Sequence, residues 1–234
     1  MNLKEMTRTL RESKIGRSLL HRRPSFSPQM ILSAAVALET KDDALARHSG
    51  RVGEISRQVA ERMGLHPGRV SEVRLAGLLH DIGKIGLPDV LQGLDMSRLS
   101  SDEATLLGTH AHEGAKMLAP MEGAGLFAQV AGQHHEHLDG SGHPAGLKAD
   151  GIVLEARIVA VVEAAEEMCM PSPSGRGLGR LSLKRELEAR RGTHYDSRVV
   201  DSYLSLLASG LEPGLMDGPL PKDTLVGWWT GERE

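Results

Sequence analysis

The chain has 234 residues, of which 40% are hydrophobic, 25% charged and only 3% aromatic, and its formal net charge at pH 7 is -3. This length suits one substantial core with appendages, and this charge gives no general attraction to nucleic acid polymers or anionic membranes. A single cysteine, Cys169, excludes an internal disulfide and favours a reducing compartment. Because we find neither an apolar signal-peptide core nor a membrane span, we expect a cytoplasmic protein.

Three parts differ in composition along the chain. Residues 1–27 are basic and are predicted to form an arm or helix lying on the domain, with contact to a phosphate-bearing partner as the alternative. Residues 28–210 are predicted to form the main domain, and residues 211–234 a tail that contains the Trp228-Trp229 pair. No alternating strand pattern is visible, so the expected fold class is all-α, a helical bundle.

Apolar residues spaced three and four apart predict the helices of this bundle. Their ends are marked by serine N-caps, by proline at the first helical position and by glycine after the last turn. The predicted helices cover residues 27–39, 48–63, 67–80, 100–120, 126–137, 152–168, 181–191 and 196–207. Loops are expected at 88–99, 139–146 and 171–179.

Histidines are concentrated in one part of the chain, with seven of the eleven between residues 80 and 143. A single histidine is more often a surface or capping residue than a ligand, but here four predicted helices each carry one or two beside an apolar stripe. Imidazoles and carboxylates suit ions such as iron, manganese or zinc, and two ions sharing one carboxylate would use every candidate. The candidates are His48, His80, Asp81, His110, His134 and His135.

The order of short motifs along the chain is more specific than any one of them. The motifs are HSxRV from His48, HDIGKIGxP from His80, HxxxGA from His110 and HHExxDGSGHP from His134. Over about residues 31–207 the sequence resembles the HD-GYP family, a branch of the HD metal-dependent phosphohydrolases that hydrolyses cyclic di-GMP. The resemblance implies an HD-type bundle with a centre of two or three metal ions, most often iron or manganese.

By matching positions, the resemblance implies that the six candidates are metal ligands and that Asp81 bridges the ions. Lys84 would lie beside them and stabilise the pentavalent phosphate, so Asp81 and Lys84 are the catalytic candidates. Arg51 is either a bidentate phosphate clamp or an exposed helix arginine. The glycine-rich loop would line the substrate side, which makes substrate-binding candidates of Gly140, Ser141, Gly142, His143 and Pro144.

The sequence departs from the family pattern at four places. His143 stands where the family has its signature tyrosine, and it retains the ability to stack on a base. Glu163 stands where the family has an aspartate ligand, in Val162–Glu167 instead of Ala-Asp-x-x-Asp-Ala, and is the seventh ligand candidate. A Thr-Ser-x-Arg-Pro-Tyr segment is replaced by residues 169–174. Ala44 offers no carboxylate for a third ion, so two ions are expected.

Three functions are compatible with this pattern. The first is a signalling phosphodiesterase that converts cyclic di-GMP to linear pGpG, GMP or both. The second is a catalytically impaired module that binds nucleotide or docks to a protein partner such as another signalling domain. The third is an HD phosphohydrolase for another nucleotide. The ligand set and Lys84 favour the first function, whereas the missing Arg-Pro-Tyr segment favours the other two.

Overall fold

The computed structural model describes residues 43–88, 99–170 and 177–213, together with Ser33 and Ala37, which are both helical. Within these ranges the chain is built from α-helices, two short 3-10 helices (Ile82–Gly86 and Ala149–Gly151) and one isolated β-bridge between Arg191 and Tyr195. The expected all-α class is therefore confirmed. The α-helices are α1 (Asp43–Arg62), α2 (Pro67–Leu79), α3 (Ser101–Gly108), α4 (His110–Leu118), α5 (Gly125–Gln133), α6 (Leu154–Cys169), α7 (Arg180–Ala189) and α8 (Ser197–Ala208).

Helix α6 lies at the centre of the bundle and contacts α1, α2, α5, α7 and α8. Its aliphatic side chains, Ile158, Val159, Val161 and Val162 among them, are fully buried. Each such side chain contributes about 1.5–3 kcal/mol relative to exposure to water. Because aromatic residues are scarce, the core is mostly aliphatic, with Tyr203 of α8 as its largest fully buried side chain.

Helices α1 and α2 form an antiparallel pair that approaches closely at two glycines. A Cβ atom added to Gly77 would lie 2.8 Å from the Cα atom of Gly53, and one added to Gly53 would lie 2.8 Å from the carbonyl oxygen of Arg74. Such distances leave no room for a side chain at either position. The close approach brings His48, on α1, near His80, which directly follows α2.

Two predicted helices are divided or shortened in the structure. The prediction of one helix over 100–120 is wrong, because α3 ends at Gly108 and α4 begins at His110. Between them the amide of Thr109 donates a hydrogen bond to the carbonyl oxygen of Leu106 (3.1 Å). The N-terminus of α3 is capped as expected, by reciprocal Ser100 and Glu103 hydrogen bonds. The helix expected over 126–137 ends at Gln133, since the residues that follow turn into the glycine-rich loop. The other bounds differ by a few residues, as helix ends commonly do.

Several sequence predictions lie outside the described residues. These are the N-terminal arm, the 27–39 helix apart from Ser33 and Ala37, most of the 88–99 loop, residues 171–176 and the tail from residue 214, including the tryptophan pair. Among the helices that are described, none combines the length and apolar character that a bilayer crossing requires.

Candidate metal centre

The HD pair lies at the point where α2 gives way to the 3-10 helix Ile82–Gly86. His80 and Asp81 are both fully buried, and the ring of His80 lies over its own helix, with Nδ1 donating to the carbonyl oxygen of Gly77 at 2.6 Å. Gly83 packs against α4 so closely that a Cβ atom there would lie 2.0 Å from the carbonyl oxygen of His110. The glycine in the motif therefore allows α4 to bring His110 beside Asp81.

Two further histidines are oriented in the same way as His80. His110 donates from Nδ1 to the carbonyl oxygen of Leu107 (2.7 Å), and His134 donates to that of Val130 (3.2 Å). A neutral imidazole that donates from Nδ1 presents a lone pair on Nε2. The Nε2 atom of His110 lies 3.3 Å from that of His134 and 3.1 Å from that of His135. The lone pairs of His110 and His134 repel one another at this separation unless a proton or a cation lies between them.

The other ligand set approaches from α1, the end of α2, and α6. It consists of His48, His80, Asp81 and Glu163. The first set is formed by His110, His134 and His135, and within each set the ligand atoms lie within 4.8 Å of one another. Glu163 reaches the centre despite its extra methylene, with Oε1 3.5 Å from Nε2 of His80. The structure thus brings all seven predicted ligands together.

Asp81 faces both sets. Its Oδ2 atom lies 3.3 Å from Nε2 of His80 and 4.0 Å from Nε2 of His48, while its Oδ1 atom lies 3.2 Å from Nε2 of His110. Glu163 also spans the sets, since its Oε2 atom lies 3.9 Å from Nε2 of His134. One carboxylate with an oxygen toward each set is the arrangement expected of a bridging ligand.

Burial and the neighbouring charges shift the pKa values of the groups in the centre in opposite directions. Burial lowers the pKa of His48 and of His110 to about 4, so both rings are neutral at pH 7. Burial also acts on His80, but the carboxylates of Asp81 and Glu163 outweigh it and raise its pKa to about 10. Although burial would raise the pKa of Asp81, Lys84 and His80 hold it well below its usual range. Without an ion, two buried carboxylates are therefore balanced by protons on His80 and Lys84.

The donor set fits divalent cations. Three of its buried atoms, His80 Nε2, Asp81 Oδ1 and Glu163 Oε1, have no hydrogen-bond partner among the described residues, which is costly unless something else satisfies them. Each of the three fixed histidines is oriented by a backbone carbonyl, which is how metal-binding histidines are commonly held. The arrangement is therefore suited to coordination.

Lys84 extends from the 3-10 helix to the edge of this centre. Its Nζ atom donates to Oδ2 of Asp81 at 2.6 Å. Burial acts against its charge, but Asp81 and Glu163 raise the pKa of the ammonium group, so it remains protonated at neutral pH. The predicted catalytic lysine is thus adjacent to the predicted bridging carboxylate.

The glycine-rich loop closes over the His135 side of the centre. The ring of His143 stacks on that of His135 with centroids 4.8 Å apart, and Gly142 lies directly against the backbone of residues 136 and 137. Gly140 has a φ of 82°, a left-handed conformation that favours glycine. The amide of Ser141 donates to Oδ1 of Asp139 (2.8 Å), and Pro144 follows a cis peptide bond.

A cavity of about 170 Å³ opens beside the centre, against α6 and the 134–137 segment. Its walls include Tyr195 and Glu167, to which the sequence alone assigned no role. Burial and the nearby Glu163 raise the pKa of Glu167 to about 7. The lining consists of His134, His135, His137, Ala160, Glu163, Ala164, Glu167 and Tyr195.

Arg51 and Glu136 contribute contacts that the sequence did not reveal. Arg51 donates from Nε to Oε2 of the fully buried Glu166 at 2.8 Å, and this ion pair joins α1 to α6. Arg51 does not line the cavity beside the centre. Glu136 is buried and accepts hydrogen bonds from the amides of Ala145 (2.7 Å) and Leu147 (2.9 Å). Glu136 therefore fixes the far end of the glycine-rich loop.

Comparison with known proteins agrees with this geometry. Residues 33–199 match a family model described as HD domain. The chain is 36% identical over 170 residues to a cyclic di-GMP phosphodiesterase of Thermotoga maritima, covering 72% of this chain and 46% of that protein. It is 29% identical over 171 residues to 3'3'-cGAMP-specific phosphodiesterase 1 of Vibrio cholerae, covering 71% and 39%. The chain thus spans less than half the length of these relatives.

A solved structure shares the fold. Bd1817, a HDG"Y"P protein from Bdellovibrio bacteriovorus, superposes with a TM-score of 0.59 at 21% sequence identity, covering 77% of this chain and 60% of that one. At this identity the likeness shows the helical architecture alone. The family match extends over most of the described bundle, and the recognition of an HD-GYP type from the motifs is confirmed. The chain belongs to the HD domain family.

Proposed function

We propose that this chain is a metal-dependent phosphodiesterase that hydrolyses cyclic di-GMP. The observation that carries the proposal is the convergence of seven ligand side chains on one buried point, with Lys84 donating to the shared carboxylate of Asp81. A docking module has no physical need for buried, unpaired ligand atoms, because they destabilise the fold unless they bind an ion.

Two divalent ions, iron or manganese, would be held by the two ligand sets, with Asp81 common to both. When bound, such a pair supplies a nucleophile at neutral pH and offsets the negative charge that develops on a transferring phosphate. The residues of the chain would hold the ions: backbone carbonyls fix His80, His110 and His134, and Glu163 spans the sets from α6.

Lys84 is the proposed electrostatic catalyst. Its ammonium remains charged at neutral pH beside Asp81, where it can donate to an equatorial oxygen of the phosphate in the transition state. Arg51 is the weaker candidate for phosphate binding, because its guanidinium would have to leave the buried carboxylate of Glu166. We therefore assign the main phosphate contact to Lys84.

The substrate would enter through the cavity beside the glycine-rich loop. The reacting phosphate would lie in this cavity of about 170 Å³, and the bases would lie against the loop. His143, stacked on His135, presents a ring on which a guanine can stack. The amides of Gly140 and Ser141 already donate to the carbonyl oxygen of His137 and to Oδ1 of Asp139, so the amide of Gly142 is the loop donor that we propose for a second phosphate. Release of linear pGpG, GMP or both would follow.

Another cyclic dinucleotide is the second candidate substrate, because a relative of comparable coverage is named a 3'3'-cGAMP-specific phosphodiesterase. Both substrates would use the same ligands and Lys84, and they would differ in the base that contacts the loop. A protein partner carrying other signalling domains is consistent with the greater length of the relatives.

The proposal is tested by product analysis on purified protein stripped of metal and then reconstituted with manganese or with iron. We expect linear product from cyclic di-GMP after reconstitution and none before it. Lys84→Gln should lower turnover at least 100-fold while leaving metal content unchanged, whereas Lys116→Gln, which alters an exposed lysine of α4, should change neither. Binding of cyclic di-GMP without any product would support the impaired module instead.

A further inference from the structure

A second group of potential ligands lies outside the centre described above. His137 and Asp139, at the start of the glycine-rich loop, meet His194, in the turn between α7 and α8, and the ligand atoms of the three lie within 4.8 Å of one another. The rings of His137 and His194 are parallel, with centroids 4.1 Å apart and an interplanar angle of 5°. Nothing in the motifs of the sequence assigns a role to this group.

Local hydrogen bonds restrain His137 and Asp139, and because the rings of His137 and His194 are parallel, one of them must rotate before both can direct a lone pair at the same ion. The hydroxyl of Ser141 lies 2.9 Å from Nδ1 of His137, and in the tautomer that donates to it Nε2 carries the lone pair. Oδ1 of Asp139 accepts from the amide of Ser141, while Oδ2 of Asp139 lies 3.8 Å from Nε2 of His194. That last distance is too long for a hydrogen bond, yet it suits two ligands of one ion.

The backbone holds the two segments together independently of the side chains. The amide of Leu138 donates to the carbonyl oxygen of His194 (3.1 Å), and the amide of Asp139 donates to that of Thr193 (3.0 Å). The three side chains are therefore presented by a paired, preorganised backbone rather than by free loop ends. They are half-exposed, so an ion can reach them directly from solvent.

We propose that His137, Asp139 and His194 form a separate site for a borderline divalent cation such as Zn²⁺. Two imidazoles and one carboxylate are a frequent zinc donor set, and with only three protein ligands a fourth position stays open. The ion would connect the glycine-rich loop to the α7–α8 turn. Because His137 and the neighbouring Tyr195 also line the cavity, the ion would fix one wall of the entrance to the main centre.

The test is the zinc content of metal-stripped protein after equilibrium dialysis against buffered zinc. Wild type should hold one equivalent more than Asp139→Asn and His194→Gln. The asparagine keeps an acceptor for the Ser141 amide while losing the carboxylate, so the turn itself is preserved. His112→Ala, an exposed histidine of α4 outside both clusters, is the matched control and should bind as much zinc as wild type. Zinc bound at the main centre contributes equally to wild type and to the variants, so the difference in zinc content reports on this site alone.

A second measurement uses the wild-type protein alone. Zinc should slow hydrogen exchange of the Leu138 and Asp139 amides, which bridge to residues 194 and 193. Equal zinc content in wild type and both variants would overturn the proposal, as would unchanged exchange of these amides at saturating zinc. An activity that disappears in Asp81→Asn while the additional equivalent remains would separate this site from the proposed catalytic centre.

Discussion

The metal centre and the glycine-rich loop beside it are held in different ways. In the centre, three histidines are oriented by carbonyl oxygens only three or four residues earlier in the chain, as His80 is by Gly77. In the loop, local contacts such as that of Glu136 with Ala145 are joined by contacts between segments far apart in sequence, such as Leu138 with His194. Each histidine of the centre is therefore oriented within its own segment, whereas the loop also depends on the turn between α7 and α8. Changes in the two regions should have different consequences.

The largest effect is expected where the centre depends on a close approach of backbones. In Gly83→Ala the new Cβ atom would lie 2.0 Å from the carbonyl oxygen of His110 and 2.6 Å from the amide nitrogen of Gly114, so α4 must move. We expect a loss of about 3 kcal/mol in the free energy of unfolding, the upper end of the usual cost of overpacking, measured with urea, together with loss of bound metal. Gly86→Ala, at a position with nothing within 4 Å, is the control and should be nearly neutral. Similar stabilities for the two variants would contradict the packing described here.

The next effect concerns the ion pair that ties α1 to α6 behind the centre. Arg51→Gln removes the guanidinium that lies 2.8 Å from the buried carboxylate of Glu166, and losing this charged hydrogen bond should lower the free energy of unfolding by about 2–3 kcal/mol. Lys184→Gln, which removes an exposed pair with Glu188, should cost less than about 1 kcal/mol. If Arg51→Gln leaves stability unchanged but raises the KM for cyclic di-GMP tenfold, the arginine is a phosphate clamp instead.

Metal binding should be pH-dependent in a definite direction. The pKa of His80 is raised to about 10 in the metal-free centre, so between pH 7 and 9 this ring carries a proton that must leave before Nε2 can coordinate. Apparent affinity for Mn²⁺ should therefore rise by about tenfold per pH unit over this range, with about one proton released per centre. Calorimetry in buffers of different ionisation enthalpy measures the release. Affinity that does not change with pH would contradict a protonated His80.

The smallest effect is expected at the loop. His143→Ala removes a ring that stacks on His135 at the substrate side but contributes no ligand to either set. We expect the KM for cyclic di-GMP to rise about fivefold to tenfold with metal content and kcat little changed. His143→Tyr, which restores the family residue, should return KM to the wild-type value or below. A lost metal ion in His143→Ala would show that loop and centre are not separable.

The sequence could predict which residues meet at the centre because that information is local. The HD and HH pairs, the glycine of HDIGKIG and the capping box at Ser100 each specify a short segment, and the apolar stripes then orient those segments toward one core. What the sequence did not reveal depends on contacts distant along the chain: the Arg51–Glu166 pair, the cavity wall at Tyr195 and Glu167, and the cluster of His137 with His194. The break at Thr109 was missed because an apolar stripe continues across it.

The most direct measurement is turnover of cyclic di-GMP by manganese-reconstituted wild type and Asp81→Asn, with metal content determined on the same samples. The carboxylate faces both ligand sets, at 3.3 Å from His80 and 3.2 Å from His110. We expect Asp81→Asn to lose the manganese bound at the centre. Its turnover should fall at least 1,000-fold at the same time, roughly the scale expected when a catalytic metal is removed. Full turnover by Asp81→Asn, or by metal-free wild type, would contradict this account.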